Sequence, residues 1–178
     1  MAVLGRTQLV LDHKYDRRHS RHSLNDYNHV LHCHHYATLY TQLAEDASFM
    51  DARQLLADCA EDTFRGFLSK YYREHNVTDP WERLELASQY YAASGMGQMT
   101  FLNAGPDSGE VELTHSHIDE GWKKKWGQHD RPVNHFTRGY IAACFGAAFD
   151  KPPRMFQVDE LEGIVQGVER SRFVVVVK

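Results

Sequence analysis

Arg131-Pro132-Val133-Asn134-His135-Phe136-Thr137-Arg138-Gly139-Tyr140-Ile141-Ala142 and the later run from Glu160 to Phe173, ELEGIVQGVERSRF, decide how this chain folds. The first opens a helix expected over about residues 133–149. Its small residues Gly139, Ala142, Ala143, Gly146 and Ala147 let another helix approach closely, since interaxial distance follows the side chains at the contact. The second lies within two extended stretches, 154–166 and 171–177, separated by Gly167-Val168-Glu169-Arg170. A small-residue helix beside extended segments points to an α+β fold.

Working outward, Asn103-Ala104-Gly105-Pro106-Asp107-Ser108-Gly109 joins a hairpin expected over 97–103 and 109–117, with alternation in Val111, Leu113 and His115. A short amphipathic helix runs from Asp119 to Trp126 and stops at Gly127. Thr78, Asp79, Pro80 and Glu82 form a strong helix start, because side-chain oxygens accept orphan amides and Pro80 fits the first turn. That helix should end at Gly95. Residues 51–74 repeat a helical pattern with Leu55, Leu56, Cys59, Phe64, Phe67, Leu68 and Tyr71 available for a buried face. Asn25 and Asp26 offer an N-cap for a helix over about 27–48. Residues 6–12 can form a short strand, and residues 1–24 as a whole read as a polar N-terminal arm or short strand. With no internal repeat and no linker, residues 1–178 form a single expected domain.

The length suffices to bury roughly two-thirds of the unfolded surface, so the fold requires no disulfide. With 42% apolar residues, 12% aromatics and a net charge of -4, the chain reads as globular rather than disordered. Nucleic-acid binders are normally basic, so no nucleic-acid partner is expected. No basic leader precedes an apolar core, and the longest apolar run, Phe173 to Val177, is too short to cross a bilayer. No membrane partner and a cytoplasmic location are expected. Cys33, Cys59 and Cys144 are odd in number and irregularly spaced, as for buried thiols in a reducing compartment.

Histidine is the outlier, with twelve in 178 residues. On the expected helix 27–48, His32 and His35 are three apart and share a face, as do His29 and His32, while His34 points elsewhere. On a strand, His115 and His117 are two apart and also share a face. These two clamps, His32 with His35 and His115 with His117, suit one transition-metal ion, and Asp119 or Glu120 just beyond adds a hard oxygen ligand. Two histidines with a carboxylate suit non-haem iron; three histidines with water suit zinc. His19 and its neighbours among Lys14, Arg17, Arg18 and Arg21 read as a solvated arm, and Cys33 reads as a packed thiol. His129 and His135 could support ligands from behind.

The last fifty residues, on the two stretches quoted first, resemble the 4-vinyl reductase domain family, a small-molecule-binding module. That family has a Glu, a Cys three residues on, a Gly four further on, then a Cys and a Phe; here the frame is Glu160, Gly163, Gly167, Ser171 and Phe173. Both cysteines are replaced. The resemblance implies a fold similar to transport-particle subunits: an antiparallel sheet with helices packed on one side, an apolar pocket between the layers, and a homodimer formed through helices. It places the two histidine clamps beside that pocket.

These readings converge on a metal-binding protein, expected to be an iron or zinc metalloenzyme acting on a small organic substrate. His32, His35, His115 and His117 hold the metal; Glu120 or Asp119 acts as ligand or base; Tyr36, Trp122 and His135 line the substrate pocket. An open coordination position would activate water or dioxygen. The alternatives are a non-catalytic ligand-binding or sensor module, which the resemblance by itself most readily implies, and metal storage or delivery by the segment from His13 to His35.

Overall fold

The computed structural model describes residues 7–31 and 33–178, and its elements form an α+β fold with two antiparallel sheets. The larger sheet has the order β4-β5-β7-β6, from Gly97–Phe101 (β4), Ser108–Ser116 (β5), Phe156–Glu162 (β6) and Ser171–Val177 (β7). Alternation decides its faces. Val111, Leu113, Val158, Phe173 and Val175 are buried, while Glu110, Asp159 and Arg172 between them face outward. Helix α5, His135–Ala148, covers the buried face and sets Phe145 against Phe101 and Phe156.

Helix α2 (Ala52–Glu74) crosses α5, and the contact is closest at Gly139. A Cβ there would fall on the Ala57 carbonyl, so the small-residue stripe does what its composition suggested. Helix α3 (Pro80–Ala93) starts as expected, with the Asp79 side chain accepting from the Glu82 amide at 2.9 Å. Asp51 caps α2 in the same way through the Gln54 amide at 3.0 Å. Each cap satisfies one orphan donor.

The N-terminal expectations need correction. No strand occupies residues 7–12, and the stretch expected to be a connection pairs instead: His13–Asp16 (β1), Arg21–Leu24 (β2) and Tyr27–His29 (β3) form a three-stranded antiparallel sheet. Asn25 and Asp26 do not cap a helix. Both have positive φ, 50° and 65°, and turn β2 into β3. Asn and Asp tolerate the left-handed region, and two such residues make the turn whose twist matches a hairpin. Helix α1 therefore spans His34–Asp46 rather than 27–48.

Helix α4 begins earlier than expected, at His117, and runs to Trp126. Ser116 caps it by accepting from the Asp119 amide at 3.1 Å. Among the described residues no helix is long and apolar enough to cross a membrane.

Candidate functional site

The two expected histidine clamps do not form as drawn. Because α1 starts at His34, the helical spacing that paired His29, His32 and His35 does not apply; His32 itself lies outside the described residues. His115 and His117 do not share a strand face either. β5 pairs Gln98 with His115 but Met99 with Leu113, so Thr114 is an extra residue. Such a bulge reverses side-chain parity: His115 turns to solvent, Ser116 turns inward, and His117 is already helical. Gly97, φ 140°, permits the close approach of β4 to the His115 carbonyl.

A different set converges. α1 packs on α4 at Gly121, where a Cβ would meet Thr38 Oγ1 at 2.6 Å and His34 Cβ at 2.9 Å. This brings the His34 ring to 6.1 Å from His117 and 4.5 Å from His35. His34 Nε2 is shielded from solvent and has no hydrogen-bond partner among the described residues. No group of three or more His, Cys, Asp or Glu side chains among the described residues is arranged to hold a metal ion.

Asp119 does not face the histidines. It is fully buried and hydrogen-bonded on all sides: Asn134 Nδ2 donates to Oδ2 at 2.7 Å, the Val165 amide to Oδ1 at 2.9 Å, and Ser171 Oγ to Oδ2 at 3.4 Å. Asn134 also donates to Glu160, from Nδ2 to Oε1 at 2.7 Å and from its backbone amide to Oε2 at 2.9 Å. Burial pushes Asp119 above its ordinary value. Glu160 is a half-buried residue whose carboxyl end lies deep, and burial together with the nearby Asp119 pushes it up to about 8.

Glu160, Gly163 and Ser171, three of the five frame positions read from sequence, thus meet at one place. Beside them the Asn134 side-chain N–H bridges the accepting carboxyl oxygens of Asp119 and Glu160, and these positions hold no thiol. This set does not fit a cysteine-held metal; it is a hydrogen-bonded acid pair tying α4, α5, β6 and β7 together.

The remaining expected site residues separate. Glu120 is exposed on α4, and Tyr36 is 62% exposed on α1. Trp122 is buried between Trp126 and His129, with ring centroids at 4.9 and 4.8 Å, so it packs α4 rather than lining a pocket. His135 is buried with Nε2 2.5 Å from Glu45 Oε1. Burial holds His135 below its ordinary value despite Glu45. Burial pushes Glu45 up, but His135, Arg53 and Arg131 outweigh it and hold the carboxyl below its ordinary value.

Aromatic residues form the most distinctive apolar feature. Phe64 meets Tyr140 at 4.8 Å, Phe136 at 5.6 Å and Tyr90 at 6.3 Å; Phe67 meets Tyr90 at 4.2 Å and Tyr27 edge-on at 4.9 Å. His29 Nδ1 donates to the Tyr27 carbonyl at 2.9 Å, so neutral His29 accepts the Tyr90 hydroxyl at Nε2, 2.8 Å away. Tyr27 and Phe67 also wall a cleft of about 170 Å³ between the N-terminal sheet and α2. Tyr71 and Val10 complete its apolar wall, and Lys70, Glu74, His75, Asp12 and Asp26 surround it. Val10 N donates to Tyr71 Oη at 3.0 Å, leaving the Tyr71 proton available to another acceptor.

Sequence reasoning counted Phe64, Phe67 and Tyr71 as core but missed the cleft, because Tyr27 was placed on a helix. It also missed Asn134 and Glu45. The signal for Asn134 was its place in the quoted stretch immediately before α5; Glu45 gave none.

An antiparallel sheet with helices on one side is a vinyl-4-reductase-like fold, and the solved structures agree. The phenol-responsive sensory domain of the transcription activator PoxR, solved with phenol, superposes with a TM-score of 0.77 at 16% identity, over 93% of this chain and 84% of that one. A vinyl-4-reductase family protein from Methanocaldococcus jannaschii gives 0.52 at 16% identity, over 80% and 77%. Subunit 3 of a trafficking protein particle complex from Naegleria fowleri, covalently bound to palmitic acid, gives 0.53 at 10% identity, over 80% and 90%. No family model and no curated protein matches the sequence; the likeness is one of fold.

Proposed function

We propose that this protein binds a small, single-ring hydroxylated aromatic molecule in the cleft walled by Tyr27, Phe67 and Tyr71, and acts as a ligand-binding or sensor module. The cleft carries the reading. Its volume of about 170 Å³ is close to the roughly 150 Å³ that holds benzene in an engineered protein cavity. Ring walls supply edge and face contacts worth about 0.5–1.5 kcal/mol each beyond area, and the Tyr71 hydroxyl, His75 and the carboxylates supply partners for a ligand hydroxyl. The phenol held by the PoxR sensory domain supports this class of ligand.

Calorimetric titration with phenol is the test. Binding should be saturable, stronger than for cyclohexanol, and weakened about tenfold by Tyr27→Ala, the loss of one ring wall worth about 1.4 kcal/mol. No saturable heat from phenol, or equal binding by the Tyr27 variant, would sink the reading.

A second reading, a metal centre around His34, His35 and His117 with His32 beside them in sequence, is favoured by the approach of the His34 and His117 rings. A metalloenzyme requires it. Iron, zinc and manganese would be measured in untagged protein and in a His34→Ala/His117→Ala variant; about one ion per chain, lost in the variant, supports it, and metal-free protein with no tight uptake rules it out.

A further inference from the structure

Gln54, Asp58 and Glu61 follow one another along α2 at the four- and three-residue steps that put side chains on one helix face. Beside the point where α2 crosses α5 at Gly139, and bounded by β6, these residues line a cleft of about 230 Å³. Arg138, Arg154 and Lys178 supply its cations. It is separate from the aromatic cleft, which meets α2 at the other end of the helix, from Phe67 to Glu74.

The cations are not equivalent. Arg154 is taken up by acids, with Nε 3.2 Å from Asp58 Oδ1, Nη1 2.8 Å from Glu61 Oε2 and Nη2 2.7 Å from Asp62 Oδ2. Arg138 is half-buried and has no such partner. Its Nε donates to the Val158 carbonyl at 2.8 Å and its Nη2 to Gln54 Oε1 at a long 3.4 Å, and neither Arg138 nor Lys178 forms an ion pair among the described residues. A guanidinium partly withdrawn from water, with N–H donors to spare and no counter-charge, is completed by an anion.

We propose that this cleft binds a small carboxylic acid carrying a hydrogen-bond donor, a hydroxyl or an ammonium, on the adjacent carbon. The planar guanidinium of Arg138 matches a carboxylate through paired N–H···O bonds, and Lys178 adds positive charge to the same cleft. The α2 wall decides the second group. Asp58, Glu61 and Gln54 Oε1 are acceptors, so a group set against them must donate. The two carboxylates also repel a doubly charged anion, which favours a carboxylate over sulfate or phosphate. The volume exceeds the roughly 150 Å³ that holds benzene, so an acid of several carbons fits.

Titration of the isotope-labelled full chain at neutral pH, followed by amide chemical shifts, tests it with three probes of nearly one shape: L-lactate, L-alanine and propionate. Lactate or alanine should give saturable shifts at Gly139, Ala142 and Val158, and bind at least about threefold more tightly than propionate, which lacks the donor. The tighter of the two identifies the donor as hydroxyl or ammonium. Arg138→Gln should weaken binding at least about tenfold, the loss of a hydrogen bond to a charged group. Because Arg138 also holds the Val158 carbonyl, Gln157→Glu serves as a second variant: the residue is exposed on the cleft, and its new carboxylate should weaken binding severalfold with the core untouched. Circular dichroism verifies that both variants fold. No saturable shift at these amides would overturn the proposal, as would sulfate binding as tightly as lactate and alanine, or full affinity in both variants. Propionate equal to both would overturn the role of the acceptor wall.

Discussion

Asn134 shows how one amide can replace a more reactive centre. Its side-chain nitrogen donates to both Asp119 and Glu160, so two carboxyls that repel each other share a neutral bridge. The consequence for stability has a definite sign. Glu160 sits at about 8 in the folded chain, above its ordinary 4.5, so its contribution is fully present below the ordinary value and is lost as pH rises toward 8. Asp119, also raised by burial, acts in the same direction. Denaturant unfolding should show stability falling between about pH 5 and 8, by at most about 1.4 kcal/mol per pH unit for each proton involved. Glu160→Gln, which mimics the protonated acid, should flatten that decline. An unchanged slope in the variant would mean that another group sets it. Glu160 and Ser171 were legible as a spaced pair in sequence, but Asn134 and Asp119 join them only through the packing of α4 and α5, which no local pattern encodes.

At the scale of elements, legibility followed how local the determinant was. Helix α2 was readable from its recurring apolar residues, and α3 because Asp79 and Pro80 act within one turn of themselves. The start of α1 was misread because Asn25-Asp26 serves equally as an N-cap and as a hairpin turn, and the choice was made by β2–β3 pairing. The histidine clamp at 115–117 failed for a similar reason: one bulged residue, Thr114, reverses parity and leaves no trace in composition. The α2–α5 crossing was readable from its small residues, and this gives a sharp contrast between two glycines. Gly139→Ala drives a methyl group into the Ala57 backbone and should destabilise by about 1–3 kcal/mol, the usual cost of overpacking. Gly66→Ala, on exposed α2 surface with open space around it, should instead stabilise by up to about 1 kcal/mol. Thermal unfolding of both variants checks the crossing, and equal effects of the two substitutions would contradict it.

For the whole molecule, the two functional readings differ in what holds the fold at its centre. The ligand reading predicts that phenol stabilises the native chain by RT ln(1 + [L]/Kd), about 2.7 kcal/mol at a hundredfold excess over Kd. For a chain of this size that is a rise in Tm of roughly 5–11 °C. Chelators should leave Tm unchanged, because the Asp119–Glu160 pair is closed by hydrogen bonds and the Tyr27–Phe67–Tyr71 cleft requires no ion. A metal at His34 and His117 predicts the reverse: a chelator-induced fall in Tm, restored by zinc or iron, and no response to phenol. One thermal-shift experiment with four conditions, phenol, chelator, both and neither, therefore separates them. A rise with phenol that survives chelation supports the sensor-like reading, and a fall with chelator that phenol cannot offset transfers the function to the α1–α4 histidines.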